Sequence, residues 1–225
     1  MPGHEYVISD IHNNYYRFKN LLKKIQFTEK DTLYIDGDIF DRGENPLELY
    51  RYIRGQDNIV PIMGNHDRWL ADYIRDCQDN QSAGLYPYNT FRILQEYLDE
   101  VGLQEVQEWI ETFPLYEITE AGGRTYMLAH ARTVSPTASV SEAFFYFSSV
   151  DFQYLQRGIP EMVSVIGHVP VDQIRYWVGD DPEKKNTIWV NRMGNVFCID
   201  CGCGFTEEKV RLGCLCLDNL SMFYA

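Results

Sequence analysis

Thr32-Leu33-Tyr34-Ile35-Asp36-Gly37-Asp38-Ile39-Phe40-Asp41-Arg42-Gly43 reads as a short apolar run that stops abruptly in carboxylates. The run has the length of a buried strand, and the glycines flanking Asp38–Arg42 suit a tight loop. Asp38 is therefore expected at the carboxyl end of a strand. The same arrangement recurs along the chain. Residues 5–9 lead into Asp10-Ile11-His12, residues 59–63 into Gly64-Asn65-His66-Asp67, residues 125–129 into His130, and residues 163–166 into Gly167-His168. Asp10 and His12 are two positions apart, so in an extended segment both face one side.

Between these runs the apolar spacing becomes helical. Tyr15, Phe18, Leu21, Leu22 and Ile25 form one stripe; Leu47, Tyr50 and Ile53 a second; Trp69, Leu70, Tyr73 and Ile74 a third. Residues 91–113 read as two more helices broken near Gly102. Strands alternating with helices predict an α/β layered fold. In open sheets of that kind, ligands gather at the carboxyl ends of the strands. After His168, residues 187–190, 196–200 and 209–217 read as closing strands, with a turn around Gly194 and a surface loop at 179–185.

The chain has 225 residues, 45% hydrophobic and 14% aromatic, with a net charge of −13. That composition predicts one packed domain spanning residues 1–225. An acidic surface excludes a broad nucleic-acid polymer interface. No apolar run approaches the roughly 18–20 residues of a membrane span, and residues 1–6 lack a signal pattern. A cytoplasmic location follows as the expectation, with no membrane partner and a monomer by default. Five of the six cysteines, Cys198, Cys201, Cys203, Cys214 and Cys216, lie in the last 28 residues. Cys201-Gly202-Cys203 could face Cys214-Leu215-Cys216 across a hairpin as a four-thiolate zinc site. Buried reduced thiols explain them more simply. His4 reads as a solvated side chain.

Hard oxygen and imidazole donors at five strand ends predict a site for two metal ions. Two ions about 3.5–4 Å apart can clamp the attacking and leaving oxygens of a phosphoryl group. The motif order Asp-x-His, Gly-Asp-x-x-Asp-Arg-Gly, Gly-Asn-His-Asp, His-Ala and Gly-His resembles the phosphoprotein-phosphatase branch of the calcineurin-like metallophosphoesterases. The resemblance runs over residues 6–218. The short length and the Gly-Asn-His-Asp form resemble bacterial and phage members, symmetric dinucleoside tetraphosphatases among them. It implies a four-layered α/β/β/α sandwich with a dinuclear site of manganese, iron or zinc. By the same resemblance Asp10 and His12 hold one metal, Asp38 bridges, and Asn65, His130 and His168 complete the second site. A bridging hydroxide would attack phosphorus in line, with His66 as general acid, Asp41 orienting it and Arg42 clamping phosphate. A carboxylate beside an imidazole suits that acid because it orients the ring and favours its charged form. Asp67 is expected to support the loop, and Asp200 to pack near the rim.

Three positions depart from the pattern. Asn13 replaces a glycine, which a residue tolerant of left-handed backbone allows. Met63 replaces a phosphate-binding arginine of protein phosphatases. Arg132, after His130-Ala131, replaces a glycine and is a candidate to restore that phosphate contact. Arg157 has no clear match. The leading expectation is a metal-dependent Ser/Thr protein phosphatase acting on phosphorylated protein or peptide. The alternative is hydrolysis of diadenosine tetraphosphate or another small phosphoester, for which residues 86–91 and 144–147 offer stacking aromatics. A non-catalytic phosphate- or partner-binding domain is disfavoured because every ligand position is filled. Residues 131–162 are expected to shape the substrate entrance.

Overall fold

The computed structural model describes residues 3–79, 84–206 and 209–225. The first half alternates as read: β1 (Glu5–Ile8), α1 (Tyr15–Lys24), β2 (Thr32–Asp36), α2 (Pro46–Arg54), β3 (Ile59–Ile62) and α3 (Asn65–Gln78). Local chemistry fixes the helix starts. The Asn14 side chain accepts from the Arg17 amide at the head of α1, and Pro46 opens α2, where its missing N–H is not needed.

Next come α4 (Thr90–Gln95) and α5 (Glu100–Glu111). The break between them falls at residues 96–99 rather than near Gly102. The Asp99 carboxylate accepts from the Gly102 amide at 2.9 Å and caps α5, so Gly102 lies inside the first turn. The second half contains β4 (Glu117–Ala121), β5 (Arg124–Leu128), α6 (Ala143–Phe147), α7 (Phe152–Arg157), β6 (Val163–Ile166) and α8 (Val171–Val178). It closes with β7 (Trp189–Val190), β8 (Val196–Cys198), β9 (Gly213–Cys216) and β10 (Met222–Tyr224). The closing strands are shorter than their apolar runs. Strand β4 escapes sequence reading because it is an edge strand whose alternate residues, Ile118 included, face solvent.

Two five-stranded sheets result, ordered β10-β9-β1-β2-β3 and β4-β5-β6-β8-β7. Side chains alternate across the first sheet with period two. Ile8, Leu33 and Ile35 face a core shared with α1, α2, α3 and α5, where Phe18, Leu21, Leu49, Leu70 and Ile110 are fully buried. Val7, Ile62 and Leu215 face the second sheet and pack with Tyr126, Val165 and Phe197. Tyr154 and Leu155 of α7 and Ile174 of α8 belong to that second core. The order is thus helices, sheet, sheet, helices: a four-layered α/β/β/α sandwich. Removing one fully buried leucine such as Leu21 to alanine costs about 2–5 kcal/mol.

Strands β1, β2 and β3 are parallel, as are β5, β6 and β8. Their carboxyl ends therefore gather at one edge, where the loops carrying Asp10, Asp38, Asn65, His130 and His168 begin. Among the described residues no helix is long and apolar enough to cross a membrane.

Candidate metal centre

The loops after β1 and β2 are laced together beyond the sheet. Asp10, His12 and Asn13 donate their amides to Gly37, Asp38 and Ile39 carbonyls at 3.0, 3.0 and 2.8 Å. This lacing bends the chain into left-handed backbone at Asp10, His12, Asn13, Asp38, Asp41, Arg42 and His168, with φ between 49° and 74°. Such residues cost about 1–3 kcal/mol each and persist only where their surroundings over-determine them. Asp67 supplies part of that constraint. Its carboxylate accepts from the amides of Asp38, Ile39, Phe40 and Gly64 at 2.8–3.2 Å. Gly37, at φ +79°, is required by contact as well: a Cβ there would lie 2.3 Å from His130 Nδ1.

Asp38 sits at the centre, with Asp10, His12, Asn65 and His130 buried around it and His168 half-buried. His12 Nε2 lies 3.8 Å from Asp10 Oδ1 and 3.7 Å from Asp38 Oδ2. His130 Nε2 lies 3.3 Å from Asp38 Oδ1 and 3.2 Å from Asn65 Oδ1. The donor atoms of His12, Asp38 and His66 fall within 4.8 Å of one another, and so do those of Asp38, His130 and His168. Asp38 is common to both groups.

The rings are oriented for coordination. His12 Nδ1 pairs with Phe40 O at 2.9 Å and His130 Nδ1 with Asp36 O at 2.8 Å. A ring that donates from Nδ1 to a carbonyl presents the Nε2 lone pair. His12 Nε2 is buried with no hydrogen-bond partner, and His130 Nε2 faces only oxygen acceptors. Both observations fit a cation among Asp10, His12, Asp38, Asn65, His130 and His168. The donor set is oxygen and nitrogen without thiolate, which suits hard or borderline ions.

Burial and mutual charge pull the ionisable groups of the cluster in opposite directions. Burial, opposed by His130, pushes Asp10 up to about 7, and Asp38 adds to the rise. Burial opposes ionisation of Asp38 too, but His130, His66 and His12 outweigh it and hold that carboxyl well below the usual range. Burial lowers His12 to about 3 against the pull of Asp38, and lowers His168 to about 4 with help from His130. His130 moves the other way: burial opposes its charge, and Asp38 overcomes that and raises it well above the imidazole range.

His66 faces the mouth. Its Nδ1 pairs with Asp41 Oδ2 at 2.9 Å, and its Nε2 lies 3.4 Å from Arg42 Nη2. Exposed Arg42 lies over Phe205, 4.7 Å from the ring centroid. Arg132 is the predicted residue that stays apart. It donates to Ser149 O at 3.3 Å and Asp151 Oδ2 at 2.9 Å, and forms no hydrogen bond or ion pair with the cluster. Asp151 also caps α7 by accepting from the Tyr154 amide. Arg132 and Arg157 line a cleft of about 330 Å³ with Phe144 and Tyr154.

Several neighbours come from stretches the sequence marks, residues 86–91, residues 144–147 and Asp200, but their individual partners carry no sequence signal. Tyr86 donates to the Asp41 carboxylate at 2.9 and 2.8 Å. Trp69 and Tyr88 flank the His66 ring at 4.9 and 4.8 Å between centroids, and Phe147 spans Trp69 and His168 at 5.5 and 6.1 Å. Gly204 lies against the His12 ring, where a Cβ would stand 2.2 Å from Cδ2. Asp200 is buried, its carboxylate accepting from Gly202 N, and burial with Asp10 beside it raises that carboxyl well above the usual range. The C-terminal cysteines are free and buried; Cys203, raised by burial to about 12, points at Ile11 O. Among the described residues they form no four-thiolate group. His4, read as merely solvated, pairs with Asp218 at 3.4 Å.

A model of the calcineurin-like phosphoesterase family matches residues 6–194. The symmetrical bis(5'-nucleosyl)-tetraphosphatase of Erwinia tasmaniensis is 33% identical over 129 residues, covering 56% of this chain and 43% of that protein. The protein of the same name from Buchnera aphidicola is 30% identical over 140 residues, covering 61% and 47%. The chain thus matches about half the length of these curated relatives. Among solved structures, a putative diadenosine tetraphosphatase superposes with TM-score 0.65 at 17% identity, covering 100% of this chain and 94% of that one. A Saccharomyces cerevisiae protein serine/threonine phosphatase gives TM-score 0.55 at 16% identity, covering 88% and 66%. At these identities the likeness is one of fold.

Proposed function

The chain belongs to the calcineurin-like phosphoesterase family, and from that premise we propose a metal-dependent hydrolase of small phosphoesters, with dinucleoside polyphosphates as the preferred class. The order of the two substrate expectations is thereby reversed. Phosphoprotein gives way to dinucleotide because the curated relatives are named as tetraphosphatases and because of the mouth itself. Trp69, Tyr88 and Phe147 surround the His66–His168 edge with aromatic faces. Nucleobases stack on such faces for about 1–3 kcal/mol each. That aromatic collar carries the choice of substrate.

Asp10, His12 and Asp38 would hold one ion, and Asp38, Asn65, His130 and His168 the other, with manganese, iron and zinc all suited to the donors. When bound, two such ions supply positive charge to phosphoryl oxygens and lower the pKa of water. The chain provides the rest. Arg42, at the mouth, presents a planar fork that can grip two phosphate oxygens. His66, held at Nδ1 by Asp41, turns Nε2 to the mouth and gives its proton to the leaving oxygen. Asn65 contributes its amide oxygen at the floor beside His130. For Arg132, the ties to Asp151 and Ser149 support a role in anchoring the start of α7 over the phosphate contact. The same proposal keeps residues 1–225 as one domain, cytoplasmic and monomeric, with no membrane or nucleic-acid polymer partner.

The test is hydrolysis by metal-stripped protein with and without Mn²⁺, on diadenosine tetraphosphate, p-nitrophenyl phosphate and a phosphothreonine peptide. The expected result is Mn²⁺-dependent turnover with kcat/KM at least roughly tenfold higher for the dinucleotide, about 1.4 kcal/mol of preference. A preference for the phosphopeptide would restore the protein-phosphatase reading. Metal binding without turnover of any of the three would favour a binding domain.

A further inference from the structure

The Asp41 carboxylate is wholly buried, and among the described residues the one basic side chain within ion-pair distance of it is the ring it orients. Its Oδ2 accepts from His66 Nδ1; its Oδ1 has one hydrogen-bond partner among the described residues, the hydroxyl of Tyr86. That hydroxyl lies 2.9 Å from Oδ1 and 2.8 Å from Oδ2. Burial and the adjacent Asp41 push the Tyr86 phenol strongly upward, so it stays a donor. Tyr86 is itself clamped, its ring against Tyr73 at 4.8 Å and Tyr88 at 5.8 Å. From the backbone side, the Asp41 amide donates to Thr90 Oγ1 at 3.1 Å, and Asn13 donates to the same oxygen at 2.8 Å.

A carboxylate can swing about its terminal torsion, which is broad and nearly two-fold. Asp41 sits at φ 74°, in a loop with no strand to steady it. A single bond to His66 would leave the torsion free, whereas a donor shared between both oxygens fixes it. Removing that donor leaves a buried acceptor unpaired, which the carboxylate relieves by turning.

We infer that Tyr86 is a positioning residue of the acid group: it locks the Asp41 carboxylate, and through it the ring of His66, in the orientation that aims Nε2 at the leaving oxygen. This deepens the proposed phosphoesterase function and rests on it. During turnover water forms the new P–O bond and gives up one proton, the P–O bond to the leaving group breaks, the proton from His66 Nε2 goes to the departing oxygen, and the proton lost by water restores His66. Tyr86 touches neither substrate nor reacting atoms and gives up no proton.

The test compares Tyr86→Phe, which keeps the ring contacts, with His66→Asn and Asp41→Asn. Each variant is assayed with Mn²⁺ on phenyl phosphate, 2,4-dinitrophenyl phosphate and diadenosine tetraphosphate, and the proton on His66 Nδ1 is observed by NMR in the diamagnetic Zn²⁺-loaded protein. That proton is identified as the far-downfield resonance lost in His66→Asn. For Tyr86→Phe with unchanged metal content, kcat on the poorest leaving group turned over is expected to fall roughly 10- to 100-fold, part of what a general acid contributes. KM should stay within about twofold, the best leaving group should lose far less, and the Nδ1 resonance should move. Equal losses on all substrates, no loss, or an unmoved resonance would overturn the inference. If His66→Asn itself shows no leaving-group dependence, the acid assignment fails first and takes Tyr86 with it. If His66→Asn shows it and Tyr86→Phe does not, only Tyr86 is dismissed.

Discussion

The loops after β1, β2 and β3 and the segment 131–162 both border the candidate metal centre, yet they are built on opposite terms. The loops are buried, laced by backbone hydrogen bonds and locked under Asp67, with ligands in left-handed conformations that their surroundings enforce. The segment holds only the short helices α6 and α7, and its Phe147 is 56% exposed at the mouth. One region leaves its side chains no choice of position; the other presents surface for a substrate to select. In the proposed function, chemistry would thereby be tied to backbone geometry, and substrate preference to side chains that the sheets do not constrain.

The largest effect should come from breaking the loops. Asp38→Asn removes the carboxylate common to both ligand groups, and activity is expected to fall by roughly 10³-fold or more, since a two-metal clamp stabilises both oxygens in flight. Bound metal, measured by elemental analysis, should fall with it; full occupancy in this variant would show that Asp38 does not bridge. The mouth should behave differently. Phe147→Ala, or Trp69→Ala, should raise KM for diadenosine tetraphosphate by about 5- to 100-fold, the value of one stacked base. Turnover of p-nitrophenyl phosphate should hardly change. If both substrates suffer alike, the two regions are not separable.

A third effect is set by charge. With no metal, the carboxyls of Asp10 and Asp36 are raised by burial to about 7 and 8, and His130 is raised by Asp38 after burial is overcome. Groups raised in the folded state stabilise it below their unfolded pKa and lose that contribution as pH climbs through the folded value. His12 and His168, lowered by burial, act with the opposite sign, and their contribution is complete above pH 6.5. Between pH 6.5 and 8 only the raised groups still titrate, so the melting temperature of metal-free protein should fall across that window. Added Mn²⁺ should raise it more at pH 8 than at pH 6, because ligands must be deprotonated to bind. A flat or rising metal-free profile would contradict the buried charges described above. The smallest effect is reserved for Arg132→Ala. Its kcat and KM on p-nitrophenyl phosphate should stay within about threefold, in keeping with a partly exposed ion pair worth about 1 kcal/mol or less. A larger rise in KM would return Arg132 to the phosphate.

Much of this could be read from the chain. Apolar runs at β1, β2, β3, β5 and β6 are local signals, and each ends in a polar residue that must leave the sheet. The stripes of α1, α2 and α3 are equally local. The helix break lies before Gly102 because the capping carboxylate of Asp99 decides where α5 begins, and a glycine in the first turn does not interrupt it. Strand β4 was missed because an edge strand carries a weak pattern. Arg132 looked like a phosphate ligand from its nearness to His130, and only its partner Asp151, 19 residues on, shows where it points.

By itself the sequence determined the layered α/β class and the order of the Asp, Asn and His residues at the strand ends, among them the Asp41 and His66 that the structure pairs. These depend on hydrophobic period and on short motifs, which are properties of neighbouring residues. Tertiary structure decided that Asp38 stands between both ligand groups, that Tyr86 reaches Asp41 across 45 positions, and that Trp69, Tyr88 and Phe147 close around one mouth. Those meetings follow from how two sheets and their helices stack. Packing of that kind brings together residues whose separation along the chain carries no periodic signal.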